Sequence, residues 1–136
     1  MVNVRDFGAK GDGCTDDTSA IQAALNFKKA GGTVYFPAGV YKITQPVFFY
    51  SHQTLIFEGG ATLLQGASMD NLMMNYSTAE LGAYDATENV IIRGATFDGG
   101  SFSQNNTLLG ICHSKDITIA DCRFRNAYGT WHNLEI

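Results

Sequence analysis

The sequence predicts an all-β chain: a parallel β-helix with three short strands per coil, capped at its N-terminal end by one α-helix. Three observations predict it. Fifteen glycines against two prolines, with only 16% charged residues, describe short strands joined by tight turns. A single stretch near the N-terminus has helical periodicity. The remainder consists of units that align with one another at offsets of 21, 35 and 27 residues, and repeats on that scale build stacked architectures.

The helix is expected over Asp16 to Ala30. Ile21, Ala24, Leu25 and the stem of Lys28 recur at helical spacing and form one apolar stripe. Thr15 or Asp16 can cap the start, Asp16 and Asp17 suit the positive end of the dipole, and Lys28 and Lys29 suit the negative end. Gly31 and Gly32 then supply a left-handed stop. A short, one-sided helix must lie on something apolar.

The coils follow. Thr33 to Tyr41 aligns with Thr54 to Thr62, Leu55 to Gly59 with Val90 to Gly94, and Glu88 to Gly99 with Lys115 to Asn126 without a gap. Each unit reads as a strand of about five residues, a short corner and a second strand, with strand lengths in the usual range. A third strand is expected at Leu108 to His113 and again at Asn133 to Ile136. One such coil cannot bury its apolar face, but stacking at about 4.8 Å lets each strand pair above and below. Alternation turns Val90, Ile92, Ala95 and Phe97 inward, with Ile117, Ile119, Cys122 and Phe124 stacked on them. Thr96, Asp98, Arg123 and Arg125 face outward, which makes Asp98 and Arg125 vertical neighbours. Gln65 to Thr87 lacks alternation and is expected to loop out of the stack; Gly99 to Thr107 is a polar connection.

These elements make one domain over residues 1–136, with the turn and capping helix in 1–32 and coils in 33–136. Ile136 falls inside a repeat, so the chain is expected to be truncated at its C-terminus. A net charge of −4 argues against nucleic acid or an anionic membrane as partner, since both need clustered Lys and Arg. No apolar run approaches the roughly 20 residues that span a bilayer. The N-terminus shows no signal peptide, leaving open a cytoplasmic, phage-borne or processed secreted protein. Cys14, Cys112 and Cys122 fit no zinc spacing and read as small apolar residues or reduced thiols, with a Cys112–Cys122 disulfide as the alternative.

Val2-Asn3-Val4-Arg5-Asp6-Phe7-Gly8-Ala9-Lys10-Gly11-Asp12-Gly13 leads into Cys14 to Thr18, then Ala20-Ile21-Gln22-Ala23-Ala24, then Gly31-Gly32-Thr33-Val34-Tyr35-Phe36-Pro37-Ala38-Gly39-Val40-Tyr41. In order and spacing this resembles the N-terminal signature of the pectate-lyase-like superfamily, in the form shared by polygalacturonases, rhamnogalacturonase-type hydrolases, related epimerases and lyases, and phage tailspikes. The resemblance implies a right-handed, single-stranded β-helix. Its physical content is architectural. Asp6 to Gly13 reads as a glycine-punctuated turn, with Gly11 and Gly13 in conformations other residues avoid. No complete phosphate-loop motif is present. Asp16 and Asp17 read as helix caps rather than catalytic acids.

Family polygalacturonases resemble one another in Asn-Thr-Asp, Asp-Asp, Gly-His-Gly and Arg-Ile-Lys segments on later coils, and the coils of this chain carry none of them. Hydrolysis needs carboxylates about 5–5.5 Å apart for retention or about 6.5–9.5 Å apart for inversion. A lyase needs a base and usually Ca²⁺ held by clustered acids; no cofactor is otherwise expected. The strongest local candidates are Trp131, Asn133 and Glu135, which alternate onto one face, with Glu135 beside Gly110 of the preceding coil. Trp131 suits stacking on a sugar ring and Glu135 suits accepting its hydroxyls. The alternative is a Trp131 packed on a loop and a solvated Glu135. Asp98, Asp121 and Arg125 are outward-facing additions. His113 and His132 fall in phase with inward residues and read as structural, while His52 sits in a turn.

The expected function is the N-terminal part of a polysaccharide-acting β-helix protein, a glycoside hydrolase of pectin-type polymers, with its catalytic carboxylates on later coils. The alternative is a non-catalytic carbohydrate-binding or structural module of a tailspike or surface appendage. The expected partner is a polysaccharide or oligosaccharide, and the expected state is a monomer, or a homotrimer if tailspike-like.

Overall fold

The computed structural model describes residues 2–67, 71–75, 87–100, 107–110, 114–125 and 134–135. In chain order the elements are β1 (Val2–Asn3), a 3₁₀ turn (Val4–Phe7), β2 (Asp12–Asp16), α1 (Thr18–Phe27), β3 (Gly32–Phe36), β4 (Val40–Ile43), β5 (Val47–Phe49), β6 (Gln53–Phe57), β7 (Thr62–Gln65), β8 (Asn71–Asn75), β9 (Thr87–Arg93), β10 (Thr96–Asp98), β11 (Thr107–Gly110), β12 (Ser114–Ala120), β13 (Arg123–Arg125) and β14 (Leu134–Glu135). They form three sheets, β1-β3-β6-β9-β12, β2-β4-β7-β10-β13 and β5-β8-β11-β14. Every described pairing is parallel. From β3 onward successive strands of the chain visit the three sheets in turn, which is a parallel β-helix.

The ungapped alignment holds residue for residue. Val90 pairs with Ile117, Ile92 with Ile119, Phe97 with Phe124, and Asp98 with Arg125. Val90, Ile92, Ala95 and Phe97 are fully buried. Phe36 stacks on Phe57 (centroids 4.0 Å), and Phe97 stacks on Phe124 (5.4 Å), so rings as well as aliphatic side chains run down the interior.

Several expectations are corrected. Thr33 does pair with Thr54, but Tyr41 pairs with Leu63 rather than Thr62. The corner Glu58 to Ala61 is one residue longer than Pro37 to Gly39, with Gly59 and Gly60 both left-handed. Leu55 pairs with Ile92 rather than Val90, a slip of two that keeps every side chain on its face. Thr96 is only 7% exposed although it belongs to the outer row between Thr62 and Arg123. Residues 71–75 do not loop out: β8 pairs with β5 and β11 and buries Leu72 and Met73. Asp12 to Asp16 is a bulged strand on β4 rather than the tail of a turn.

The helix is shorter than expected, and its acids precede it. Asp17 is buried, and its carboxylate accepts from the backbone N–H groups of Lys10 and Gly11 (both 3.0 Å). It therefore clamps the glycine turn rather than capping α1; Gly11 and Gly13 there do take positive φ. Asp16 takes the cap-like role, accepting from the Thr18 N–H and hydroxyl. At the other end, buried Gln53 donates to the carbonyls of Leu25 (2.8 Å) and Lys28 (2.9 Å). These carbonyls also accept from the Lys28 and Gly31 N–H groups, so Gln53 on β6 adds a second donor to each at the helix C-terminal end. Ile21, Ala24 and Leu25 are fully buried against the column. Burying Ile21 and Leu25 contributes about 1.5–3 kcal/mol each.

Left-handed residues also stack. Gly31 and His52 (φ 118° and 65°) directly precede β3 and β6, and Asn89 and Asp116 (58° and 56°) are the third residues of β9 and β12 on the coils that follow. Gly94 (77°) and Asp121 (55°) mark the corner between the first and second sheets. Gly, Asn and Asp are the residues that adopt this conformation at least cost.

Candidate functional site

Each outer face is a set of columns fixed by register. On the second sheet one column runs Lys42, Leu64, Asp98, Arg125. On the third sheet one runs Phe48, Met74, Gly110, Glu135. Glu135 thus lies beside Gly110, as the sequence alternation requires. The side chain at 135 and all of Trp131 and Asn133 lie outside the described residues, as do His113, His132 and Cys112.

The outward-facing additions separate. Asp98 is half-buried and accepts from the Gly100 N–H at 2.8 Å, while Arg125 above it is exposed. Asp121 is exposed, but it sits at the left-handed corner above Gly94, on neither of these columns. Its backbone conformation alone explains an Asp there. Asp98 and Arg125 therefore share a column of the second sheet, while position 135 belongs to the third.

At the head of the third sheet the structure adds a feature that sequence reasoning missed. An open groove of about 520 Å³ lies between α1 and β5, lined by Ser19, Gln22, Asn26, Gln45, Phe48 and Tyr50 among others. Gln22 ties the two walls together: its Oε1 accepts from the Phe48 N–H (2.8 Å) and its Nε2 donates to the Phe48 carbonyl (3.1 Å). The available signal was the pair Gln22 and Asn26, one helical turn apart on a helix whose other face is apolar.

Ionisable groups near this end are set by hydrogen bonds. Hydroxyls of Thr18 and Thr44 hold the Asp16 carboxyl below its ordinary range, and backbone N–H groups of Thr15 and Cys14 do the same for Asp12. Burial pushes the Cys122 thiol up, away from a reactive thiolate. Among the described residues no three His, Cys, Asp or Glu side chains gather as metal ligands.

Comparison with known proteins places this geometry. Residues 1–135 match the family described as rhamnogalacturonase A/epimerase, pectate lyase-like. The chain belongs to that family. Plasmin and fibronectin-binding protein A of Streptococcus pneumoniae is 31% identical over 150 residues, covering 93% of this chain and 21% of that protein. Alginate lyase 7 of Azotobacter vinelandii is 64% identical over 44 residues, 31% of this chain and 5% of that protein. The crystal structure of an iota-carrageenase from A. fortis superposes with a TM-score of 0.80 at 18% identity, over 98% of this chain and 29% of that one, and shares the fold alone. The fold is the right-handed parallel β-helix, here with a helix at its N-terminal end. The chain spans about a fifth of the first of these relatives.

Proposed function

We propose that this chain forms the first coils of a polysaccharide-acting protein, a glycoside hydrolase of pectin-type polymers whose catalytic carboxylates stand on further coils. The observation that carries it is the outer column Phe48, Met74, Gly110, Glu135. It sets a carboxylate-bearing position beside a residue without a side chain, which leaves room for a sugar ring to approach along the sheet. The sequence alternation of Trp131, Asn133 and Glu135 is the basis for expecting them on one face, where Trp131 would offer a stacking ring and Glu135 an acceptor for hydroxyls. Relatives named for alginate and mannuronan chemistry support a polysaccharide as partner. The test is reducing-end release from polygalacturonan and rhamnogalacturonan by a protein carrying this chain and its following coils. New reducing ends without a 4,5-unsaturated product support the hydrolase; an unsaturated product makes it a lyase.

The kinship with a pneumococcal plasmin- and fibronectin-binding protein favours a second reading, a non-catalytic binding module. A stable homotrimer that releases no reducing ends would favour it.

A further inference from the structure

We propose that the groove between α1 and β5 is a separate subsite for an uncharged stretch of glycan, an inference that rests on the polysaccharide reading above.

Hydrogen bonding fixes how the groove presents itself. The Phe48 N–H can only donate, so the Gln22 atom it meets is Oε1, and Nε2 is the atom facing Asn26. Nε2 can only donate, so Asn26 meets it with Oδ1 (3.1 Å). The Tyr50 hydroxyl donates to the same oxygen at 2.7 Å. With Oδ1 taken twice, the orientation of the Asn26 amide is fixed, and among the described residues nothing accepts from Nδ2. Asn26 lines the groove, so its two N–H donors stand at the groove wall.

The lining selects the ligand. Among the described residues none that lines the groove is charged, so a uronate carboxylate or a sulfate would leave water without a cation from them to meet it. An apolar ligand would strip water from the Asn26 donors without replacing it. A peptide adding to the sheet needs the free edge of β5, and Gln22 already occupies both the N–H and the carbonyl of Phe48. A neutral sugar supplies hydroxyl and ring oxygens to the amide donors and fits a cleft of this size.

The test titrates the chain with galactotetraose and, separately, tetragalacturonate, following binding by calorimetry. Asn26→Asp replaces the donors with acceptors at constant shape. Ala23→Trp fills the groove from an exposed helix position that takes no part in the network; far-ultraviolet circular dichroism checks that each variant is folded. Expected are galactotetraose binding, a loss of about tenfold or more in Asn26→Asp, where hydrogen bonds worth about a factor of ten are removed, abolition in Ala23→Trp, and tetragalacturonate binding unchanged in both. Galactotetraose binding that ignores both substitutions overturns the subsite, as does tetragalacturonate binding without any galactotetraose binding; both leave the polysaccharide reading standing. Failure of both sugars to bind overturns the two together.

Discussion

Phe97 and Phe124 are register partners on adjacent coils, and their rings stack with centroids 5.4 Å apart and planes 14° from parallel. The contact reports directly on coil stacking. Phe97→Ala should destabilise the chain by about 3–5 kcal/mol, the usual cost of emptying a buried phenylalanine site. A double-mutant cycle with Phe124→Ala should return a coupling of about 0.5–1.5 kcal/mol. Urea denaturation of the four proteins measures both.

The corner at Gly94 should tolerate no side chain. A Cβ there would lie 2.4 Å from the Phe57 carbonyl oxygen, at a φ of 77°. Gly60 has nearly the same φ, 79°, with nothing within 4 Å of a built Cβ. Gly60→Ala should therefore cost only the left-handed strain, about 1–2 kcal/mol, and Gly94→Ala clearly more. Equal losses in thermal unfolding would show that the clash is relieved by movement.

Gln53 should be the residue that seats the capping helix. It is fully buried, donates to two helix carbonyls and accepts from the Tyr50 N–H at 2.8 Å. Gln53→Leu keeps the volume and removes all three hydrogen bonds, so a loss of about 1.5–4.5 kcal/mol is expected, at about 0.5–1.5 kcal/mol for each bond. Amide exchange should rise first in α1; uniform exchange would mean the helix is not seated this way.

Asp16 should give the chain part of its acid sensitivity. Its folded pKa lies below the ordinary 3.8, chiefly through the hydroxyls of Thr18 and Thr44. A depressed carboxyl stabilises the fold above the unfolded value and loses that contribution as pH falls through the folded one. The group is exposed, so less than about 1 kcal/mol is at stake. Asp16→Asn should be slightly less stable than wild type at neutral pH, with the gap closing below pH 3.8. A gap independent of pH would assign the effect to something other than charge.

Asp121 separates a corner role from a site role. Asp121→Gly should leave stability nearly unchanged, while Asp121→Val should lose about 1–2 kcal/mol, because a β-branched residue resists positive φ. Weaker sugar binding by the glycine variant at unchanged stability would restore it to the site.

The sequence made some of this legible and hid the rest for physical reasons. Coils 27 residues apart have corners of equal length, so Val90 over Ile117 and Phe97 over Phe124 emerge without a gap. Where the corner gains a residue, at Glu58 to Ala61, the alignment fails in the second strand only. β8 was hidden because Leu72 and Met73 are both buried, which erases the alternation that marks a strand. β5 was hidden because three residues, Val47 to Phe49, are too few to show a period. At the site, the Glu135–Gly110 pairing was legible from alternation. The groove was not, because Gln22 and Phe48 lie 26 residues apart and meet only when the helix docks.

The most direct measurement of a glycan-facing third sheet is an amide chemical-shift map of the ¹⁵N-labelled chain titrated with tetragalacturonate. Shifts should gather at Met74, Gly110 and Glu135 and spare Thr54, Ile91 and Thr118 on the first sheet. Shifts confined to the first sheet, or none at all, would contradict it.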